Sequence, residues 1–147
     1  MTAVPELRRR CHAFPDGTDL TLRLEELLGL PPHDGKTRLV QLWADPHTMF
    51  RPTPDPEVND SEADLDFPES SRSSVSEEHR LWFNNLRATS YGPKGYPWTR
   101  LGYTYDWGSP ASHVGLSGFV IDKGAPVTVE SVIAAPADYC QRAGAGP

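Results

Sequence analysis

The sequence predicts an α+β fold: two or more early helices and one early strand, then a C-terminal antiparallel β-meander packed on the helices. Three observations predict it. Apolar residues recur at helical spacing in two segments before residue 90, and they alternate with period two in three runs after residue 96. The connections between those three runs are short and built from Gly, Pro, Asp and Ser.

Residues 1–17 are polar and close on the turn signal Phe14-Pro15-Asp16-Gly17, so they are expected to fray. In the first helix Thr18 is the expected N-cap, and Leu20, Leu24, Leu27 and Leu28 form one apolar stripe at i, i+4, i+7 and i+8. Gly29 and Pro31-Pro32 stop it. The run Thr37 to Ala44 reads as a strand with Leu39 and Trp43 on one face and Val40 and Leu42 on the other. A strand apolar on both faces is expected inside a sheet or under a helix. Asp45-Pro46 then starts a short helical turn through Met49 and Phe50.

Residues 52–73 read as one loop. Pro52-Thr53-Pro54-Asp55-Pro56 has polyproline character, and Asn59 to Ser74 is acidic, then serine-rich, and expected to be mobile. The second helix has a capping box in Ser74 and Glu77 and an apolar stripe of His79, Trp82, Phe83 and Leu86, ending near Arg87. His79 on that stripe is expected to be a hydrogen-bonded core residue. Tyr91 to Gly95 is a loop by composition. The meander follows as Trp98 to Trp107, Val114 to Ile121 and Val127 to Ile133, and residues 143–147 are expected to fray. With 147 residues the whole chain, 1–147, is expected to form a single domain.

Net charge is −6, and it is concentrated: Asp45 to Glu69 holds eight acids and one base, which leaves the rest of the chain at +1. Nucleic acid is therefore an unfavoured partner. No apolar run approaches the roughly 18 residues that a membrane helix needs, so no membrane association is expected. Met1 to Phe14 has three arginines with no apolar stretch behind them, which does not read as a secretory signal. A cytoplasmic location follows, with Cys11 and Cys140 as reduced thiols by default and a bridge between them as the alternative.

The least ordinary segment is Tyr96-Pro-Trp-Thr-Arg-Leu-Gly-Tyr-Thr-Tyr-Asp-Trp-Gly108. Strand parity puts Leu101, Tyr103, Tyr105 and Trp107 on one face and Trp98, Arg100, Gly102, Thr104 and Asp106 on the other. The second face offers an indole for stacking, a guanidinium for phosphate and a carboxylate for ribose hydroxyls, with a glycine leaving room. Arg100, Asp106, Glu130 and His113 are the candidate catalytic residues. Trp98, Thr104, Tyr96 and Ser117 are the candidate ligand-binding ones. The same run also fits a core strand with a structural ion pair, the commoner use of such residues.

Neither G-x-G-x-x-G nor a P-loop occurs, so no cofactor is expected from a motif. Asp60, Glu62, Asp64 and Asp66 alternate as a calcium site would allow, but the EF-hand glycine is missing; a solvated acidic loop and no metal are expected. His12, His33, His47, His79 and His113 show no zinc spacing, and His47 and His113 are the loop histidines available as bases.

The aromatic run, with Val114-Gly-Leu-Ser-Gly-Phe-Val120 after it and Phe50-Arg-Pro52 and Asp55-Pro-Glu57 before it, resembles that of a group of small bacterial proteins whose activity is uncharacterised. The resemblance implies no activity; it implies that relatives often carry a cysteine at the position of Thr53 and an acid at that of Gly118.

Three functional classes follow. The first is a nucleotide-handling enzyme, a hydrolase or transferase whose sharpest form is NAD glycohydrolase or ADP-ribosyl transfer, resting on Arg100, Trp98, Asp106 and Glu130. The second is an interaction module whose acidic, proline-rich residues 52–69 dock a basic partner. The third is a small metal-independent ribonuclease using His113 or His79 with Arg100 and a tyrosine.

Overall fold

A computed structural model describes residues 1–60, 62–67, 75–96 and 98–140. The expected capping residue Ser74, most of the serine-rich stretch and the tail 143–147 lie outside the described residues. Among the described residues four helices, α1 (Glu6–Cys11), α2 (Leu20–Leu28), α3 (Glu77–Ser90) and α4 (Pro136–Cys140), accompany six short strands and one 3-10 turn, Pro46–Thr48. The strands are β1 (Leu39–Ala44), β2 (Met49–Phe50), β3 (Tyr103–Tyr105), β4 (Val114–Ser117), β5 (Val120–Ile121) and β6 (Val127–Ile133). The class is α+β, with small antiparallel sheets.

The N-terminus does not fray. Its helix α1 buries Leu7 and Cys11 against Leu24 and Leu27 of α2, Leu116 of β4 and Tyr139 of α4. This side-by-side packing of α1 and α4 sets the Cα atoms of Cys11 and Cys140 5.1 Å apart, and the two form a disulfide in place of the expected thiols. Six residues of α1 are too few for a stable isolated helix. Packing and the bridge hold it, and a bridge between residues 129 apart in sequence stabilises by about 2–4 kcal/mol through the unfolded chain.

The caps differ from the expected ones by a residue or two. Asp19, not Thr18, caps α2, its carboxylate accepting from the amides of Thr21 and Leu22 at 3.1 and 3.2 Å. Gly29 ends that helix in the left-handed region at φ 68°. Ser76 caps α3, its hydroxyl accepting from the His79 amide at 3.1 Å.

The expected C-terminal meander is realised in part. Among the described residues β3 and β4 form its one hairpin, Tyr103 opposite Ser117 and Tyr105 opposite Val114. Beyond Gly118 the chain changes partner: β5 pairs with β2 and β6 with β1, making one interrupted ribbon of residues 39–50 against 120–133. Asp122 to Pro126, expected as a hairpin turn, is an outward loop facing the matching loop 45–48, and the Asp122 amide donates to the Thr48 carbonyl at 2.9 Å. Turn residues allow both outcomes; the partner available across the ribbon decides. As a result β1 is not interior, and Val40 and Trp43 are 51% and 66% exposed.

The proline-rich stretch is packed rather than solvated: Thr53 is fully buried, and Pro54 nearly so. Arg51, 5% exposed, organises the loop by donating to the carbonyls of Asp60 and Glu62 at 3.2 and 3.0 Å. Around α3 a second core is aromatic, with Phe83 5.2 Å from Trp98 and 5.4 Å from Phe67. Among the described residues no helix is long and apolar enough to cross a membrane.

Candidate functional site

The aromatic run is not one strand. Arg100 and Gly102 take positive φ, 63° and 69°, so regular alternation begins only at Tyr103. A Cβ on Gly102 would lie 2.8 Å from the Arg51 guanidinium and 2.9 Å from Thr53, so this turn tolerates only glycine. The bend moves residues 98–100 off the sheet and toward the end of α3. Gly95 permits that approach, since a Cβ there would lie 1.9 Å from the Ser90 carbonyl oxygen. The Tyr91 hydroxyl donates to the Trp98 carbonyl, and the Thr99 hydroxyl donates to the Tyr103 carbonyl at 2.6 Å.

Between this loop and the β3–β4 hairpin lies an open cleft of about 660 Å³ walled by Tyr91, Tyr96, Trp98, Tyr103, Tyr105 and His113. The His113 ring lies 4.8 Å from that of Tyr105, and its Nδ1 is 3.0 Å from the Asp106 carbonyl oxygen. A carbonyl can only accept, so Nδ1 carries the hydrogen and a neutral His113 keeps its lone pair on Nε2. Desolvation raises the Tyr96 phenol above its ordinary value, so the hydroxyl is a neutral donor at physiological pH. Arg100 sits at the edge, its guanidinium 5.3 Å from the Tyr91 ring centroid. Among the described residues it has no hydrogen-bond or ion-pair partner.

The cleft therefore joins Tyr96, Trp98 and His113 of the candidate set, with Arg100 beside them. It does not contain the other four. Asp106 is fully buried and bound twice by Arg23 of α2, at 2.8 and 2.6 Å, which raises the Arg23 guanidinium further above its ordinary value. Thr104 donates to the Leu27 carbonyl at 2.6 Å and accepts from the Leu116 amide at 2.8 Å. Ser117 is tied to the Glu6 carboxylate of α1, through its amide at 3.1 Å. Glu130 is on the ribbon, where it accepts from the Trp43 indole at 2.7 Å. The structural ion pair thus claims the strand's carboxylate, with Arg23 rather than Arg100.

Tyr91, Tyr103 and Tyr105 escaped the sequence reading. Parity set the last two on the face opposite the candidate residues, and Tyr91 stood in a loop with no periodic signal. The available clue was the tyrosine content itself, a recurrent feature of surfaces that stack rings. Among the described residues no group of three or more His, Cys, Asp or Glu side chains converges as metal ligands would. Comparisons with protein-family models, with curated proteins and with solved structures find no match to this chain.

Proposed function

We propose that the tyrosine-walled cleft binds a small molecule with a flat ring and an anionic group, the chemistry of a nucleotide. The carrying observation is Arg100: a cation without an acidic partner among the described residues, stacked on Tyr91 at the edge of an otherwise uncharged aromatic cleft. Trp98 and the tyrosines offer faces to the ring, and the guanidinium offers a fork to phosphate oxygens. This keeps the ligand class of the enzyme reading and changes its chemistry. No carboxylate is among the described residues that wall the cleft, so they do not supply the charge that an oxocarbenium-like state needs. Among the described residues of its wall, His113 offers a ring nitrogen, Nε2, that can accept a proton. The likeness to small bacterial proteins remains part of this proposal and adds no chemistry to it. The Cys11–Cys140 bond fits an oxidising compartment better than the cytoplasm that the sequence suggested.

Saturation-transfer NMR with adenosine 5′-monophosphate and with adenosine tests the reading. The monophosphate should bind about tenfold more tightly, and Arg100→Ala should remove that advantage while leaving adenosine unchanged, the loss of one charge-assisted contact. Equal binding of the two ligands by the native protein would overturn it. Nicotinamide released from NAD would return catalysis to the cleft and place it on His113.

A further inference from the structure

A second cleft, of about 730 Å³, opens on another face between the start of α3 and the β2–β5 pair. Its wall is aromatic: the Phe50 and Trp82 rings meet edge to face at 4.8 Å, and His79 lies 5.3 Å from Phe50. Its rim carries Glu78 of α3 and Asp122 and Lys123 of the loop after β5, and Pro56 brings in the acidic loop with Asp55 and Glu57 on either side. Neither the Glu78 nor the Asp122 carboxylate has an ion-pair or hydrogen-bond partner among the described residues.

His79 makes the wall an acceptor as well. It is 9% exposed, and its Nε2 lies 2.7 Å from the Thr53 carbonyl oxygen. That oxygen can only accept, so Nε2 holds the hydrogen and Nδ1 holds a lone pair. Burial lowers the pKa of His79 and keeps the ring neutral at physiological pH. Among the described lining residues the cleft then brings together two unpaired carboxylates, the His79 imidazole and the Phe50 and Trp82 rings, with Lys123 as the cation.

We propose that this cleft docks the cationic side chain, arginine or lysine, of a partner polypeptide. Carboxylates and ring faces together suit a guanidinium or ammonium, because both attract a cation and the rings cover its apolar stem. A polypeptide is the occupant because the cleft exceeds one side chain and its rim continues into Asp60 and the Asp55–Glu57 pair, which stays negative even where the pair holds one proton, so neighbouring basic residues would be favoured. Thr53 and Pro54 are packed inside and take no part in the docking surface, whereas Pro56 borders the cleft. The site is independent of the tyrosine cleft and of what binds there.

The test is fluorescence anisotropy at low salt with labelled Gly-Arg-Gly-Arg-Gly, and with the same peptide carrying citrulline, which keeps the shape and removes the charge. The arginine peptide should bind at least tenfold more tightly. Glu78→Gln and Asp122→Asn should each weaken it about fivefold, while Glu77→Gln, which removes the same charge one position away from the lining, should have no effect. Circular dichroism of each variant establishes that it is folded. Equal binding of the two peptides would overturn the proposal, as would equal losses from Glu77→Gln and Glu78→Gln, or no binding at all. Loss on Arg100→Ala would also overturn it, since that residue belongs to the other cleft.

Discussion

The β3–β4 hairpin and the β1–β6 ribbon are both antiparallel pairs of strands, yet they spend their side chains in opposite directions. On the hairpin Asp106 and Thr104 reach across to α2 and bind Arg23 and the Leu27 carbonyl, and Leu116 completes the core. On the ribbon Val40 and Val132 face each other across the strands with about half of each in solvent, and Val129 is equally exposed. Only the ribbon's far end, Leu39 and Ile133, touches the core. The polar hairpin residues are structural and the apolar ribbon residues are not, the reverse of what hydropathy suggests.

The sharpest way to break this contrast is at Asp106. Asp106→Ala takes away the closer partner of the Arg23 guanidinium, which is 17% exposed and keeps only the Glu26 carboxylate at 3.4 Å. Removing one member of a buried ion pair costs about 3–5 kcal/mol. Urea unfolding should show that loss with an unchanged slope, and Arg23→Ala should approach it. A loss below about 1 kcal/mol would mean that solvent reaches the pair. Thr104→Val comes next. It keeps the shape but leaves the Leu27 carbonyl and the Leu116 amide without their partner, for about 1–3 kcal/mol. Thr104→Ser should recover most of this, and a neutral valine variant would show that water replaces the hydroxyl.

The helices were legible where periodicity and caps coincide: the α2 stripe with Gly29 at its end, and the α3 stripe through Phe83. His79 was legible as a bonded core residue, though not as the wall of a cleft. The pairing of strands was not legible, because Asp122-Lys123-Gly124 is equally good as a hairpin turn or an outward loop and nothing local chooses. The site was half legible for the same reason. Composition marked the aromatic run, but a left-handed Arg100 cancels the alternation that assigned its faces. Asp106 and Glu130 looked like partners in sequence, and long-range pairing with Arg23 and Trp43 separates them.

Between hairpin and ribbon lies the acidic loop, whose effect depends on pH. Hydrogen bonding to the Asp55 carboxyl, with Asp60 nearby, pushes Glu57 up from its ordinary 4.5 to about 7. A carboxyl raised on folding favours the native state while protonated, so its contribution is complete below about pH 4.5 and fades as pH rises to about 7. Glu57 is exposed, and solvent screening keeps the effect small. The urea midpoint of the native protein should therefore fall between pH 5 and pH 8 by more than that of Glu57→Gln. Parallel falls would show that the two carboxyls share no proton.

The smallest effect belongs to the ribbon. Val129 is 56% exposed and pairs with Leu42 beside the shift in register between Gln41 and Leu42. Threonine keeps the branched Cβ that a strand favours and gives up one methyl already in contact with water. Val129→Thr should therefore change stability by no more than about 0.5 kcal/mol, as surface substitutions do. The same substitution at a buried valine would leave an unpaired hydroxyl and cost several times more. Equilibrium unfolding at two protein concentrations decides which case holds. A loss above about 1 kcal/mol that grows with concentration would mean that a second copy covers the valine face, and the contrast with the hairpin would then be one between two interfaces rather than between core and surface.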